Sequence, residues 1–205
     1  MHLIIAEKNI SAKRIAQILA GNEKVKTTKD GSVFTYSFDN RTVVGLKGHV
    51  VEVDFEPGYA NWRSTTHTPR SLIDAGMVKK PTEKKIVNLI QKLAKKADLV
   101  TIATDYDTEG ELIGKEAYEL VRAVNPDVRI NRARFAAITP AEIRAAFENP
   151  VELDFNLAAA GEARQTVDLM WGAALTRFLS LAARRGGRDI PVSYTHLTLP
   201  TIYSV

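Results

Sequence analysis

Short apolar runs alternate along the chain with longer segments whose apolar residues recur at helical spacing. Residues 1–6 and 99–103 are apolar runs rich in β-branched side chains, and this composition predicts two buried strands. Residues 11–19, 82–96 and 111–124 each carry an apolar stripe that predicts an amphipathic helix. Because strands that alternate with helices are typical of a mostly parallel sheet with flanking helices, we predict an α/β fold.

The remaining predicted elements are shorter. They are a hairpin over 31–46 with its turn at Asp39 and Asn40, a strand over 51–55, an irregular loop over 56–81 with Trp62 as an anchor, a strand over 128–135 and a helix that begins near Thr139. That helix start is supported by Thr139 as the N-cap, Pro140 at the first helical position and Glu142 as the partner in a capping box.

The pattern changes near Pro150. Residues 154–185 keep a helical period throughout, with an apolar side made of Leu157, Val167, Trp171, Leu175 and Phe178. Residues 191–205 show no helical period and follow a run rich in arginine and glycine. We therefore predict one domain over 1–150, the first helical segment of an incomplete helical domain over 151–190, and a non-native tail over 191–205.

The bulk composition excludes several classes of protein. The 205 residues are 45% hydrophobic and 25% charged, as in an ordinary globular protein. Because cysteine is absent, neither a disulfide scaffold nor a thiolate metal site can form. No signal-peptide core or membrane-spanning run is evident, so we expect a cytoplasmic protein. The net charge of +4 is compatible with a polyanionic partner without establishing one.

Three acidic residues at alternate positions follow the predicted strand over 99–103, namely Asp105, Asp107 and Glu109. In an extended segment residues two apart point the same way, so Asp105 and Asp107 are expected to share one side, with Glu109 extending the row into the turn. Gly110 allows a sharp bend before the next helix. Crowded carboxylates repel one another, and a hard divalent cation, Mg²⁺ foremost, compensates that repulsion.

Two other interpretations of this segment compete with a magnesium site. One is a solvated acidic turn without a ligand, since aspartate is common in turns. The other is an EF-hand, because Asp105, Asp107, Glu109, Gly110 and Glu116 fall at the loop positions of the calcium motif. An EF-hand requires a helix before the loop, whereas a strand is predicted there.

The first predicted strand also ends in charged residues, Glu7 and Lys8. Ligands of open α/β sheets bind at the carboxyl ends of the strands, so Glu7 is a candidate fourth carboxylate. Lys8 is a candidate for contacting a phosphate or moderating the pKa of Glu7. His49, which follows a glycine at a strand junction, is a weak candidate taken alone.

These residues together resemble a known family. Ala6-Glu7-Lys8, Gly48-His49, the run from Thr104 to Glu111 and the Ile138-Thr139-Pro140 helix start are similar to the Toprim domain, a Rossmann-like fold, of type IA DNA topoisomerases. Residues 162–165 (EARQ) with Asp168 resemble the start of the helical domain that follows Toprim in those enzymes. The likeness covers about residues 1–190 and is strongest to archaeal topoisomerase I and topoisomerase III.

The resemblance implies a function. Such enzymes cleave one strand of DNA through a tyrosine, form a 5′-phosphotyrosine, pass a strand and reseal the break. It implies that the acids at 105, 107 and 109, with Glu7, hold Mg²⁺, and that Glu7 and Lys8 are catalytic, Glu7 in proton transfer and Lys8 on the scissile phosphate. Arg164, oriented by Asp168, would contact the DNA backbone, and His49 is grouped with these DNA-binding residues. The partner would be a single-stranded segment of duplex DNA.

The resemblance also sets expectations about what this sequence lacks. The family's nucleophilic tyrosine lies well beyond residue 205, so the chain alone is expected to bind metal and DNA weakly and not to cleave. Two alternatives stay open. One is another Toprim enzyme, such as a primase or an OLD-type nuclease, and the other is a non-catalytic, metal-dependent DNA-binding module.

Overall fold

The computed structural model describes residues 1–59 and 68–185. The strands are β1 His2–Ala6, β2 Lys26–Asp30, β3 Val33–Phe38, β4 Arg41–Gly45, β5 Val51–Phe55, β6 Met77–Pro81, β7 Leu99–Ala103 and β8 Arg129–Arg132. The α-helices are α1 Asn9–Ala20, α2 Pro69–Ile73, α3 Lys84–Ala94, α4 Thr108–Arg122, α5 Pro140–Glu148 and α6 Phe155–Arg185, and a short 3₁₀ helix covers Pro57–Tyr59.

Six strands form one sheet in the order β2-β3-β4-β1-β7-β8. The β4-β1, β1-β7 and β7-β8 pairs are parallel, whereas β3 pairs antiparallel with both β2 and β4. This confirms the predicted α/β fold with a mostly parallel sheet. In the β1-β7 register Ala6 lies beside Ala103, so these two central strands end level with each other at one edge of the sheet.

Alternate residues of the central strands are buried on opposite faces of this sheet. Leu3 and Ile5 join a core cluster with residues of α3 and α4, such as Ile90 and Ile113. The intervening residue Ile4 joins a second cluster with residues of α1 and α5. Helices therefore cover both faces, and the strands are apolar on both sides, as expected of a buried parallel sheet.

Several predicted boundaries differ from the structure. Residues 56–81, predicted as an irregular loop, contain the 3₁₀ helix, α2 and strand β6, which pairs with β5 in a separate two-stranded sheet. Strand β2 has no counterpart among the predicted elements. Trp62 lies outside the described residues. Residues 104–107, which carry Asp105 and Asp107, form a loop between β7 and α4 that we call the acidic loop. The segment before it is strand β7, whereas an EF-hand requires a helix there, so the EF-hand interpretation is wrong.

The chain divides into two compact units. The first comprises Met1–Glu52 and Pro81–Glu162, and the second comprises Val53–Lys80 and the chain from Ala163 onward. These units do not follow the predicted boundary at residue 150, because residues 53–80 group with the later part of the chain. The domain boundaries themselves stay a prediction, and the tail predicted over 191–205 lies outside the described residues.

Helix α6 confirms the long helical period predicted for 154–185. Within the second unit, its buried residue Ala173 packs with Phe55 and Leu72. Trp171 and Phe178, from the predicted apolar side, are instead mostly exposed. Among the described helices, α6 included, none combines the length and apolarity needed to cross a bilayer.

Candidate functional site

The residues that follow β1 and β7 meet at one edge of the parallel sheet. Glu7 comes directly after β1, and Asp105 comes two residues after the end of β7. The backbone N–H of Asp105 donates a hydrogen bond to Oε2 of Glu7, with 3.4 Å between the two atoms. Residues 98 positions apart in sequence are therefore adjacent, as the strand-end argument predicted.

The acidic segment is extended only in part. Asp107 has an extended backbone and is the N-cap of α4, where its Oδ1 accepts a hydrogen bond from the N–H of Gly110 at 2.6 Å. Glu109 lies inside the first turn of α4, and its side chain is 74% exposed. The predicted row of alternating acids therefore stops at Asp107, because the cap starts the helix at Thr108. An acidic side chain in the first turn of a helix stabilises it, because its negative charge interacts favourably with the positive end of the helix dipole.

Burial and neighbouring charge act together on the acidic loop. Burial raises the pKa of Asp105, and the charges of Glu7 and Asp107 raise it further, while Lys8 and Arg132 oppose the rise. Nζ of Lys8 lies 2.9 Å from Oε1 of Glu7, and this contact raises the pKa of Lys8. The carboxylates thus crowd one another at the strand ends, with Lys8 as partial compensation.

The chemistry of these side chains fits a hard divalent cation. Carboxylate oxygens are the ligands that Mg²⁺ prefers, and a cation would offset the repulsion that Glu7 and Asp107 exert on Asp105. Across residues 1–59 and 68–185, however, no three His, Asp or Glu side chains converge closely enough to hold a metal ion as they stand. Asp107 instead caps α4, and Glu7 pairs with Lys8.

Two buried charged residues that sequence reasoning missed lie beside the acidic loop and hold its backbone in place. Arg132 of β8 and Glu111 of α4 are both fully buried, with Nε of Arg132 2.8 Å from Oε1 of Glu111. Arg132 also donates from Nη2 to the backbone carbonyl of Asp105 at 2.9 Å. Burial lowers the pKa of Arg132, and Glu111 raises it. No local signal marked them, because both β8 and α4 contain several other polar and charged residues.

A second buried carboxylate, Glu116, joins α4 to the segment that contains His49. Nδ1 of His49 lies 2.8 Å from Oε1 of Glu116, and the Val50 N–H donates to Oε2 at 3.0 Å. Nε2 of His49 lies 3.9 Å from Oε1 of Glu109. The hydrogen bond to Glu116 raises the pKa of His49, against the effect of burial. The structure therefore brings His49 to the acidic loop, and sequence reasoning missed the role of Glu116.

Gly110 and Gly45 allow two close backbone approaches at this edge. A Cβ at Gly110 would lie 2.1 Å from the carbonyl oxygen of Asp105, and one at Gly45 would lie 2.5 Å from Cα of Asn9. Such distances are far below van der Waals contact, so only glycine fits either position. The sharp bend predicted at Gly110 is wrong, because α4 begins at Thr108 and Gly110 lies in its first turn; the close approach of the Asp105 carbonyl is what requires glycine there.

The two predicted DNA-binding residues of α6 belong to the second unit. Nε of Arg164 lies 3.8 Å from Oδ2 of Asp168, and both side chains are mostly exposed. This places them on one helix face, as their spacing of four predicts.

The chain matches a known family and several known proteins. The family model of the Toprim domain matches residues 2–138. DNA topoisomerase 1 of Archaeoglobus fulgidus is 50% identical over 203 residues, which cover 98% of this chain and 30% of that protein. DNA topoisomerase 3-alpha of Homo sapiens is 34% identical over 216 residues, covering 98% of this chain and 21% of that protein.

A solved structure of a topoisomerase is also similar to this chain. The full-length topoisomerase I from Thermotoga maritima superposes with a TM-score of 0.56 at 29% identity, covering 85% of this chain and 25% of that chain. The chain thus spans less than a third of the length of each of these proteins. Their names favour the topoisomerase interpretation over the primase and nuclease alternatives. The chain therefore belongs to the Toprim family, and its relatives within that family are type IA DNA topoisomerases.

Proposed function

We propose that this chain is the Toprim-containing part of a type IA DNA topoisomerase, an isomerase that relaxes DNA by single-strand cleavage, strand passage and resealing. The nucleophilic tyrosine that forms the 5′-phosphotyrosine lies beyond residue 205, in a separate domain of the parent enzyme. The parent enzyme acts in the cytoplasm on a single-stranded segment of duplex DNA. The observation that carries the proposal is the contact between Glu7 and the Asp105 backbone at the level ends of β1 and β7.

Asp105, Asp107 and Glu109, together with Glu7, would hold Mg²⁺ at this edge. Burial raises the pKa of Asp105, and the charges of Glu7 and Asp107 raise it further; that repulsion between carboxylates supports this assignment, because a cation would relieve it. When bound there, Mg²⁺ would supply positive charge to offset that of the phosphate during resealing. The protein's own part is to keep these carboxylates near one another on a rigid sheet edge.

Glu7 and Lys8 are the proposed catalytic residues of the chain. The side chain of Glu7 is 10% exposed and opens to the sheet edge, where it can exchange a proton with a sugar hydroxyl. The side chain of Lys8 is 65% exposed, so its ammonium group can leave Glu7 for a phosphate oxygen. Arg164, oriented by Asp168, contacts the DNA backbone, and its exposure supports that role.

The metal assignment is tested by isothermal titration of the chain with Mg²⁺. Asp105→Asn with Asp107→Asn is expected to abolish binding, because it removes two of the ligands. Asp30→Asn with Asp127→Asn makes the same chemical change at two exposed positions and should bind like the unaltered chain. Equal Mg²⁺ affinity in both double variants would show that the acidic loop is not the site.

The DNA assignment is tested by fluorescence anisotropy with a single-stranded oligonucleotide at several salt concentrations. Losing one phosphate contact lowers the slope of log affinity against log salt by about 0.7 for single strands. Arg164→Gln should show this change, whereas Arg144→Gln, at an exposed position of α5, should not. An unchanged slope in Arg164→Gln would remove that residue from the interface.

The enzymatic assignment is tested with a chimera. Residues 1–185 replace the matching segment of the Archaeoglobus fulgidus protein, which is 50% identical to this chain. The chimera should relax supercoiled plasmid in the presence of Mg²⁺, and Glu7→Gln in the chimera should abolish relaxation. A folded chimera that binds DNA and leaves the plasmid supercoiled would count against the proposed function. Relaxation by the 205-residue chain alone would contradict the assignment of the tyrosine to another segment.

A further inference from the structure

Helix α3 and the two residues after it carry exposed lysines that the proposed reaction does not use. We call this surface the lysine face, and its members are Lys84, Lys85, Lys92, Lys95 and Lys96. We propose that the lysine face binds the sugar-phosphate backbone of double-stranded DNA, next to the single-stranded segment on which the parent enzyme acts. The inference rests on the proposed function for its DNA, and all of these residues belong to the first compact unit.

The first observation is the charge of this segment. Residues 84–96 contain five lysines and no acidic residue, so they carry a net charge of +5, whereas the whole chain carries +4. Subtracting the first value from the second leaves −1 for the rest of the sequence. The net positive charge of the chain is therefore concentrated on one helix, as expected of a surface that attracts a polyanion.

The lysine face also lacks counter-charges from the protein. In the described part of the chain none of its five lysines forms an ion pair, whereas Lys47 and Lys115 each pair with a glutamate. The acids that flank the helix are engaged elsewhere, since Glu83 is the partner of Lys47 at 3.1 Å and Asp98 pairs with the N-terminal amino group. Like charges on one helix face repel one another, so an anionic partner stabilises this surface.

Helix α3 runs from the edge of the sheet that carries the candidate site to the opposite edge. Before its start, the Thr82 hydroxyl donates to the His49 carbonyl at 3.2 Å, and Nε2 of His49 lies 3.9 Å from Glu109. After its end, the Asp98 N–H donates to the Met1 carbonyl at 3.0 Å, just before β1. The 11 residues of the helix span about 16 Å, so the lysine face leads away from the site over that distance.

A groove of about 300 Å³ lies between α3 and the turn that joins β2 to β3. It is lined by Asp30, Gly31, Lys85, Asn88, Leu89 and Lys92. Lys85 and Lys92 are seven residues apart and share one side of the helix, with about 10 Å between their positions. This separation corresponds to about three steps along one strand of DNA. Because the two lysines outnumber Asp30, the groove is net positive and can follow a phosphate backbone.

The residue types of this segment favour double-stranded DNA over a single strand. Sites for single strands combine basic side chains with aromatic rings on which the bases stack. Residues 84–96 contain no aromatic residue, and a lysine ammonium contacts phosphate as a point charge without reading a base. A duplex carries one negative charge per about 1.7 Å of its axis, so about 16 Å of helix lies beside about nine phosphates.

The proposal is tested by fluorescence anisotropy of the full chain with two DNAs, a single strand and the same single strand flanked by duplex. Lys85→Gln with Lys92→Gln should weaken binding of the duplex-flanked DNA. It should also lower the slope of log affinity against log salt by about 1.8, because each phosphate contact on B-DNA accounts for about 0.9. Affinity for the single strand should stay unchanged. Glutamine has nearly the helix propensity of lysine, so this variant should fold, as circular dichroism will verify.

A matched control makes the same change of charge elsewhere in the first unit. Lys13→Gln with Lys24→Gln alters exposed positions of α1, which covers the other face of the sheet, and of the loop that follows α1. This variant should bind the duplex-flanked DNA with the affinity and salt slope of the unaltered chain. Equal losses of duplex affinity in the two double variants would show that net charge alone matters, and would overturn the proposal.

Acetylation of lysines, read by mass spectrometry, locates the contact without any substitution. Saturating duplex-flanked DNA should protect Lys85 and Lys92 of the unaltered chain and leave Lys13 and Lys24 reactive. Equal acetylation of all four lysines with and without DNA would contradict a contact at the lysine face.

The outcomes separate this inference from the proposed function. A loss of affinity confined to the single strand, or to an RNA duplex of the same sequence, overturns the choice of partner. If the chimera with residues 1–185 relaxes plasmid while Lys85→Gln with Lys92→Gln keeps full duplex affinity, the inference fails and the proposed function stands. Failure of the unaltered chain to bind either DNA, together with an inactive chimera, overturns both.

Discussion

The buried pair of Arg132 and Glu111 allows a quantitative test of how the acidic loop is held. Both side chains are 0% exposed, and Nε of Arg132 lies 2.8 Å from Oε1 of Glu111. Glu111→Gln removes one charge with almost no change of shape, so packing is preserved and the guanidinium loses that counter-charge. Removing one partner of a buried ion pair costs about 3–5 kcal/mol, so we expect the free energy of unfolding to fall by about that amount.

The chain contains a matched control at its surface. Arg164 and Asp168 form the same kind of pair at 3.8 Å, but their side chains are 81% and 60% exposed. Water and salt screen such a pair, and its loss costs at most about 1 kcal/mol. Asp168→Asn should therefore be nearly neutral. Replacing both buried partners, with Arg132→Met and Glu111→Leu together, should cost much less than the sum of the two single changes.

The measurement is hydrogen exchange of backbone amides in β7 and α4, together with urea unfolding followed by circular dichroism. Exchange resolves the first compact unit, which matters because a chain with two units need not unfold in one step. Equal losses of stability in Glu111→Gln and Asp168→Asn, both below about 1 kcal/mol, would refute the reasoning, since burial is the only difference it invokes.

Three further predictions concern the same edge of the sheet. Gly110→Ala should lower the free energy of unfolding, measured in urea, by about 1–3 kcal/mol, because the added Cβ overpacks the site. In the control variant Gly114→Ala the Cβ would meet only a neighbouring side chain at 3.2 Å, and the free energy of unfolding should change by less than about 1 kcal/mol. Burial and neighbouring carboxylates raise the pKa of Asp105, so the unaltered chain loses stability as the pH rises from about 3.8 through the raised pKa. Thermal unfolding at pH 7 should therefore show that Asp105→Asn is more stable than the unaltered chain. The pKa of His49 is raised by Glu116, so the stability it contributes is complete below pH 6.5 and is lost as the pH rises through the raised pKa; His49→Gln should flatten this part of the curve of urea midpoint against pH.

The central fold and part of the site could be predicted from the sequence. The apolar runs of β1 and β7 are unmistakable because both faces of a parallel strand are buried, and their level ends follow from a parallel register. This is why the sequence pattern alone brings Glu7 and Asp105 together. Strand β2 escaped prediction because all five of its residues are exposed and leave no apolar period to detect.

The rest of the site depends on contacts between elements that are distant in sequence. Nothing in the local pattern around Arg132 or Glu116 names Glu111 or His49 as a partner, since those pairs arise only when β8 and the segment after β4 pack beside α4. The start of α4 was misplaced for a different reason. Asp107 fits both an alternating strand and a helix cap, and only the hydrogen bond to Gly110 decides between them.

Apart from the cap at Asp107, the acidic loop is stabilised through its backbone, and this leaves the Asp105 carboxylate available for a ligand. Arg132 donates from Nη2 to the carbonyl of Asp105, while its charge is balanced by Glu111. The hydroxyl of Thr104 donates to the carbonyl of Gly110 at 2.8 Å. Because these contacts bypass the Asp105 carboxylate, the loop is held in place without neutralising the charge of its acids. The charge of Arg132 lowers the pKa of Asp105, but burial and the charges of Glu7 and Asp107 outweigh it and keep that pKa raised, so a bound cation would offset the repulsion between these acids.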